Sequence, residues 1–142
     1  MKVSEVMTKG AEGLQASDNV VHASNLMREM NVGAIPVFQD SGVEGVVTDR
    51  DIVVRCIGQN LNPLHTSVGE IMSKDAKTCS QDADINEAAR IMENYKIRRL
   101  VVTDAEGVVS GMVSLGDLAV KGGKQLSAEV LDIISEPAAP SK

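Results

Sequence analysis

The sequence predicts an α/β (α+β) fold in which two β-α-β-β-α repeats pack sheet to sheet with pseudo-two-fold symmetry. Three observations predict it. The chain repeats itself, since VSEVMTK (Val3–Lys9) matches VGEIMSK (Val68–Lys74) and Met7 falls on Met72 at a shift of 65 residues. Each copy passes from helical to strand periodicity in the same order. Each copy also ends on the same corner, a Gly-apolar-Val strand running into Thr/Ser-x-x-Asp, in GVVTDRDIVVR (Gly45–Arg55) and GMVSLGDLAVK (Gly111–Lys121).

The shift of 65 carries Ala23 onto Ala88, Met27 onto Met92, Val37 onto Val102 and Gly42 onto Gly107. One extra residue near Val109 and Ser110 raises it to 66, which carries Gly45 onto Gly111, Val47 onto Val113 and Asp51 onto Asp117. The chain therefore divides into repeat 1 at 1–58, a linker at 59–67, repeat 2 at 68–123 and a C-terminal helix and tail at 124–142. The linker, QNLNPLHTS, reads as loop through its Asn, Pro and Ser.

Within a copy, a first short strand is expected near GLQA (Gly13–Ala16) and KTCS (Lys77–Ser80). Val20, Ala23, Met27 and Met30 follow helical spacing, and Ile85, Ala88, Ala89, Met92 and Tyr95 repeat it behind an Asp84-x-x-Glu87 capping pattern. AIPVF and RLVVT are β-branched runs, followed by the turns DSG and AEG and by VEGVVT and VVSGMVS, which makes a hairpin in each copy. Thr48 and Ser114 then open a second helix, with Ile52, Val53 and Cys56 or Leu118 and Ala119 on its apolar face. Neither half buries both faces of so small a sheet by itself, which is why the halves are expected to pack together. SAEVLDIISEP (Ser127–Pro137) forms one more amphipathic helix, and the APSK tail is expected to fray.

Composition removes several function classes. Fourteen Lys and Arg against twenty Asp and Glu give a net charge of −6, and one Phe, one Tyr and no Trp leave little for bases to stack on, so nucleic acid is not a partner. No apolar run is long enough for a membrane span and no leader is visible, so the expected location is cytoplasmic, away from any membrane. Cys56 and Cys79 are isolated and read as reduced, structural thiols, and no metal set is apparent. His22 and His65 stand far in sequence from carboxylate-rich motifs and do not recur between copies, so no catalytic group is assigned and the protein is not read as an enzyme.

The corner admits two readings. Ser or Thr at a helix N-cap with an acid three residues on is a capping pattern and needs no ligand. Capping boxes favour Glu or Gln at that third position, yet both copies carry Asp. A short carboxylate in a first turn can also accept two hydrogen bonds from ribose hydroxyls, while free N–H groups and the Thr48 or Ser114 hydroxyl hold a phosphate.

Two such units, with IRRLVVTDAEGVVSGMVSLGDLAV in the second, resemble a tandem pair of CBS domains, the family named after cystathionine β-synthase, over about residues 1–123. The resemblance implies a free-standing regulatory or energy-sensing module. Such a module binds an adenosyl ligand such as AMP, ADP or ATP in clefts between the repeats, carries no further cofactor, and acts on another, unidentified protein. It implies ribose binding by Asp51 and Asp117 and phosphate binding by Thr48, Ser114, Arg98 and Arg99. It implies an adenine pocket among Val32, Gly33, Ala34, Ile35, Ile97, Lys77 and Thr78, aliphatic because no aromatic residue stands near either motif. Asp51 is then expected to face Arg98 and Arg99, and Asp117 to face the uncharged Gly33 and Ala34. A homodimer is expected, because both helices of each copy carry more apolar residues, Leu26 and Ile91 among them, than one sheet face can cover. The alternative is a protein–protein interaction module with no specific ligand.

Overall fold

The computed structural model describes residues 1–10, 13–39, 42–74 and 76–135. The APSK tail, the end of the expected last helix and Asp40 and Ser41 of the first hairpin turn lie outside the described residues. In chain order a 3-10 turn (Val3–Glu5) leads to β1 (Thr8–Lys9), β2 (Leu14–Gln15), α1 (Val20–Met30), β3 (Ala34–Gln39) and β4 (Gly42–Thr48). α2 (Asp49–Asp51) widens into a π turn (Ile52–Cys56) and tightens into a 3-10 turn (Ile57–Gln59). Then follow α3 (Val68–Ile71), β5 (Ser73–Lys74), β6 (Thr78–Ser80), α4 (Ile85–Tyr95), β7 (Arg99–Thr103), β8 (Val109–Ser114), α5 (Leu115–Gly122) and α6 (Ala128–Ser135). Among the described residues no helix is long and apolar enough to cross a membrane.

The chain forms two compact units, Glu12–Ala76 and Met1–Ala11 together with Lys77–Lys142. These do not coincide with the sequence repeats, because each repeat's opening segment belongs to the unit that carries the other repeat's body. In one unit the sheet order is β2-β3-β4-β5, and in the other β6-β7-β8-β1. Both sheets have one plan. β2 runs parallel to β3 across α1, and β6 parallel to β7 across α4. Each hairpin is antiparallel and carries a bulge, at Val37/Phe38 and at Val102/Thr103. The edge is the exchanged arm, antiparallel to the hairpin's second strand through Gly45↔Lys74 and Val46↔Ser73, and through Thr8↔Met112 and Lys9↔Gly111. VSEVMTK and VGEIMSK, visible in the sequence only as repeat markers, are these arms.

The arms are held by core, ladder and a cation. Val3 and Val6 are fully buried with Ile85, Leu100 and Leu118, and Val68 and Ile71 are buried with Leu14, Val37 and Val47. Each such side chain contributes on the order of 1.5–3 kcal/mol by leaving water. Arg55 Nη1 donates to the carbonyls of Ile71 (3.4 Å) and Met72 (3.3 Å). At the matching position Lys121 Nζ donates to Val6 O at 3.2 Å. Each arm also closes its turn with an acid: Glu5 accepts from Lys2 N at 2.6 Å, and Glu70 accepts from Ser67 N at 2.7 Å. That backbone bond, followed by the Ser67 hydroxyl, holds the Glu70 carboxyl below its ordinary range.

The helices begin and end as their residues dictate. Asn19 caps α1 by accepting from His22 N, and Asn31 closes it in the left-handed region at φ 55°. Asp84 caps α4 through Asn86 N at 2.9 Å and the Asn86 amide at 2.8 Å, rather than through a box with Glu87. Asn86 Oδ1 in turn accepts from Ser127 N at 2.8 Å, which docks the segment leading into α6, where Leu126 and Val130 join the core. The linker is less loose than its composition suggests: Thr66 is buried, its carbonyl accepts from Val20 N, and Ser67 bridges to Asn19. Cys56 and Cys79 are buried free thiols, and burial, then the charge of Glu87, pushes the Cys79 thiol up to about 11.

The glycine that opens each corner motif is required by the arm. A Cβ on Gly45 would fall onto Ser73 O, and one on Gly111 onto Thr8 O. Gly45→Ala and Gly111→Ala should each cost about 1–3 kcal/mol in urea denaturation, because the edge strand must shift to admit the methyl group. Gly42→Ala, where nothing lies within 4 Å of the added atom, should be close to neutral. Equal effects at all three positions would show that the arms do not constrain the corner.

Candidate functional site

Each corner is built by a hairpin strand delivering a hydroxyl to the start of a helix. Thr48 Oγ1 accepts from Asp51 N at 3.0 Å, and Asp51 Oδ2 accepts from Thr48 N at 2.9 Å. Ser114 and Asp117 repeat both bonds at 3.0 and 2.9 Å. Both aspartates therefore close capping boxes, and the shorter side chain reaches back as Glu would. The residue preference that argued against capping does not hold here.

The second oxygens differ. Asp51 is 7% exposed, and its Oδ1 takes a 3.5 Å bond from Ser73 Oγ of the arm and lies 3.7 Å from Arg55 Nε. Asp117 is half-buried, and among the described residues its Oδ1 accepts no hydrogen bond.

The first-turn donors differ as well. At α2, Asp49 N donates to Gly33 O (3.0 Å), Arg50 N to Asp49 Oδ1 (2.8 Å) and Asp51 N to Thr48, so all three are engaged. At α5, Leu115 N donates to Arg98 O (2.9 Å) and Asp117 N to Ser114. Among the described residues Gly116 N–H has no protein acceptor. The sequence gives both corners free N–H groups; in the structure the first copy's Asp49 has turned back and used one of them. Asp49 also stands over Gly33, where its carboxylate would meet an added Cβ.

The remaining residues assort by unit. Val32, Gly33, Ala34, Ile35, Thr48 and Asp51 belong to Glu12–Ala76. Ile97, Arg98, Arg99, Lys77, Thr78, Ser114 and Asp117 belong to the other unit, where Arg99 is the ladder partner of Ser114 and Val101 N donates to Lys77 O at 3.1 Å. Arg98 and Arg99 are both exposed, and among the described residues neither makes a salt bridge. Ile35 is 1% exposed and packs in the core with Val37 and Val47, so its side chain is committed there. Val32 and Ile97 are half-buried against their cores, and Thr78 is exposed.

Sequence reasoning missed two groupings. Both aromatic residues stand at first strands: Phe38 packs over Gly13, and the Tyr95 ring lies 4.6 Å from Lys77 Nζ. The hairpin and the end of α4 fold back to those strands, which brings both aromatic residues beside them. His22 and His65 also share a cavity of about 640 Å³ with Asp18 and Glu70, where the linker crosses the start of α1. Their separation in sequence from carboxylates does not carry over to space. Among the described residues no three His, Cys, Asp or Glu are placed to hold a metal.

The CBS domain model matches residues 3–58 and again 68–121. The chain belongs to the CBS domain family. CBS domain-containing protein YhcV of Bacillus subtilis is 36% identical over 118 residues, which cover 83% of each chain. CBSX2, solved in complex with AMP, is similar at TM-score 0.67 and 27% identity, over 87% of this chain and 96% of that one. The hexameric CBS-CP12 protein from bloom-forming cyanobacteria is similar at TM-score 0.78 and 26% identity, over 87% of this chain and 72% of that one. Each family match includes its own copy's arm, so a CBS match names a stretch of chain while the compact unit borrows its edge strand from the other copy.

The two capping boxes should differ in their contribution to stability. Asp117→Ala should cost about 1 kcal/mol, the typical worth of a helix cap. Asp51→Ala should cost about twice that, because a buried corner and the Arg55 guanidinium lose a partner. Chemical denaturation giving equal losses would mean that the Ser73 and Arg55 contacts contribute nothing.

Proposed function

We propose that this chain is a regulatory module that binds an adenosine-containing nucleotide such as AMP, ADP or ATP and passes that signal to another protein. CBS membership supports the reading, as does the AMP-bound state of CBSX2. The observation that carries it is the Asp117 carboxylate, with one oxygen fixed by the backbone and the other open. Such a group is oriented before a ligand arrives, so a ribose hydroxyl loses little freedom to it. Asp51 serves the equivalent role once a ligand replaces the long Ser73 contact.

In this reading Thr48 and Ser114 with Arg98 and Arg99 take phosphate, while Val32, Gly33, Ala34, Ile97 and the Lys77–Thr78 backbone border adenine. The role is regulatory rather than catalytic, in a compartment where the thiols stay reduced. A module with no ligand at all is the second reading, and the apolar helix face described below favours it.

Calorimetry decides between them. Asp117→Asn retains an acceptor for the cap and should leave stability nearly intact, yet it should weaken AMP by about ten- to a hundredfold if the open oxygen binds ribose. Arg99→Gln should weaken AMP and barely affect adenosine. Unchanged AMP affinity in Asp117→Asn and Asp51→Asn would leave both carboxylates as caps alone.

We also propose a homodimer, paired through the second helices, which are among those the sequence expectation included. Leu26 and Ile91 pack against their own cores, whereas Val53 (62% exposed) and Ile57 (53%) leave the second helix of one unit apolar and uncovered, and Val120 (84%) does the same on the second helix of the other. A self-complementary apolar face closes most simply as a two-fold pair. Light scattering should give twice 15.0 kDa, and Val120→Glu with Val53→Glu should give 15.0 kDa. A monomeric wild type would remove the dimer.

A further inference from the structure

We propose that Tyr95 and Lys77 form a specificity element that makes the site prefer adenine nucleotides with two or three phosphates over AMP. The proposal rests on the adenosyl-binding reading above and goes beyond it by naming the ligand class and a positioning residue. β6 runs parallel to β7 with Thr78 opposite Val101, so Lys77, Arg98 and Arg99 all come to one end of the sheet. Arg99 faces Ser114 in the ladder, and the Arg98 carbonyl holds the start of α5, which places the open Gly116 N–H at that end too.

Three cations thus gather in a chain of net charge −6, and among the described residues none of them makes a salt bridge. The matching positions of the first repeat are Glu12, Gly33 and Ala34, so the concentration of positive charge belongs to the second repeat alone. In this reading the arginine pair takes one phosphate, and a longer anion gives the third cation a phosphate of its own.

A lysine on a free four-carbon stem loses much rotamer freedom when it binds. Lys77 has already lost part of it, because its ammonium lies 4.6 Å from the centre of the Tyr95 ring. Tyr95 acts through Lys77, as a positioning residue. Any flat ring of similar quadrupole serves the same purpose, and an aliphatic side chain does not.

Isothermal titration at low salt with ATP, AMP and adenosine tests this. The wild type should bind ATP about tenfold more tightly than AMP, and Lys77→Gln should abolish most of that preference. Tyr95→Leu should weaken ATP about three- to fivefold while leaving adenosine unchanged, and Tyr95→Phe should behave as wild type. ATP binding no tighter than AMP overturns the proposal, as does a Tyr95→Leu loss shared equally by adenosine, or a Tyr95→Phe variant that resembles Tyr95→Leu. If neither adenosine nor any of the nucleotides binds, the adenosyl reading falls and inorganic tripolyphosphate decides the remainder. Binding that Lys77→Gln weakens keeps the cation cluster as a polyphosphate receptor, and absent or Lys77-independent binding removes it.

Discussion

A backbone contact organises this molecule: the edge strand's carbonyl lies against a glycine of the hairpin, Ser73 O on Gly45 and Thr8 O on Gly111. That approach brings the arm close enough to extend the ladder and sets where the hairpin's last residues emerge. Three residues beyond each glycine stands the hydroxyl that caps the second helix. The corner's position therefore follows from the arm's register. The cation seven residues beyond that hydroxyl, Arg55 or Lys121, returns to the arm's carbonyls and closes the circuit. No single bond in it is strong, since each net hydrogen bond contributes about 1 kcal/mol. Buried Val3, Val6, Val68 and Ile71 add the apolar contribution at the base of each arm.

The symmetry of this scaffold makes the differences between copies informative. Both copies have the same ladder, bulge, cap and glycine, so a residue that departs from the pattern does so against a fixed background. Asp49 occupies a first-turn position where the other copy has Leu115, and it removes a donor that the other copy leaves open. The arm hydroxyl Ser73 reaches Asp51, and Arg55 lies close by. Asp117 keeps an oxygen in reserve. The two corners share a structural role, and the second is the more open of the two. A cap and a ligand contact are not alternatives for such a carboxylate, because the cap uses one oxygen and orients the other.

The π turn that follows Asp51 is the largest departure between the copies. Ile57 N donates to Ile52 O, five residues back, where α5 continues as an ordinary α-helix. The β-branched run Ile52-Val53-Val54 crowds the preceding turn and weakens the preference for regular α geometry. Asp51, Ile52 and Cys56 stay inside, while Val53, Val54 and Ile57 turn to solvent. The same stretch thus secures one corner and presents the apolar face proposed for self-association.

Local chemistry made much of this legible. The shift of 65 rising to 66 identified the copies, 3.6-residue and two-residue periods identified α1, α4 and the hairpins, and Gly-apolar-Val-Thr/Ser-x-x-Asp located both corners, because each depends on residues close in the chain. Those are the features sequence by itself determined, together with the CBS resemblance that the family matches bear out. Tertiary structure decided what depends on distance through space. It made strands of VSEVMTK and VGEIMSK, because a two-residue strand has no period of its own and forms only when an edge is offered. It placed Tyr95 on Lys77 and put His22 and His65 on one cavity, pairs that lie 18 and 43 positions apart in the sequence. It committed Ile35 to the core and left Val120 outside, because an apolar side chain's burial is set by what the rest of the chain brings to cover it.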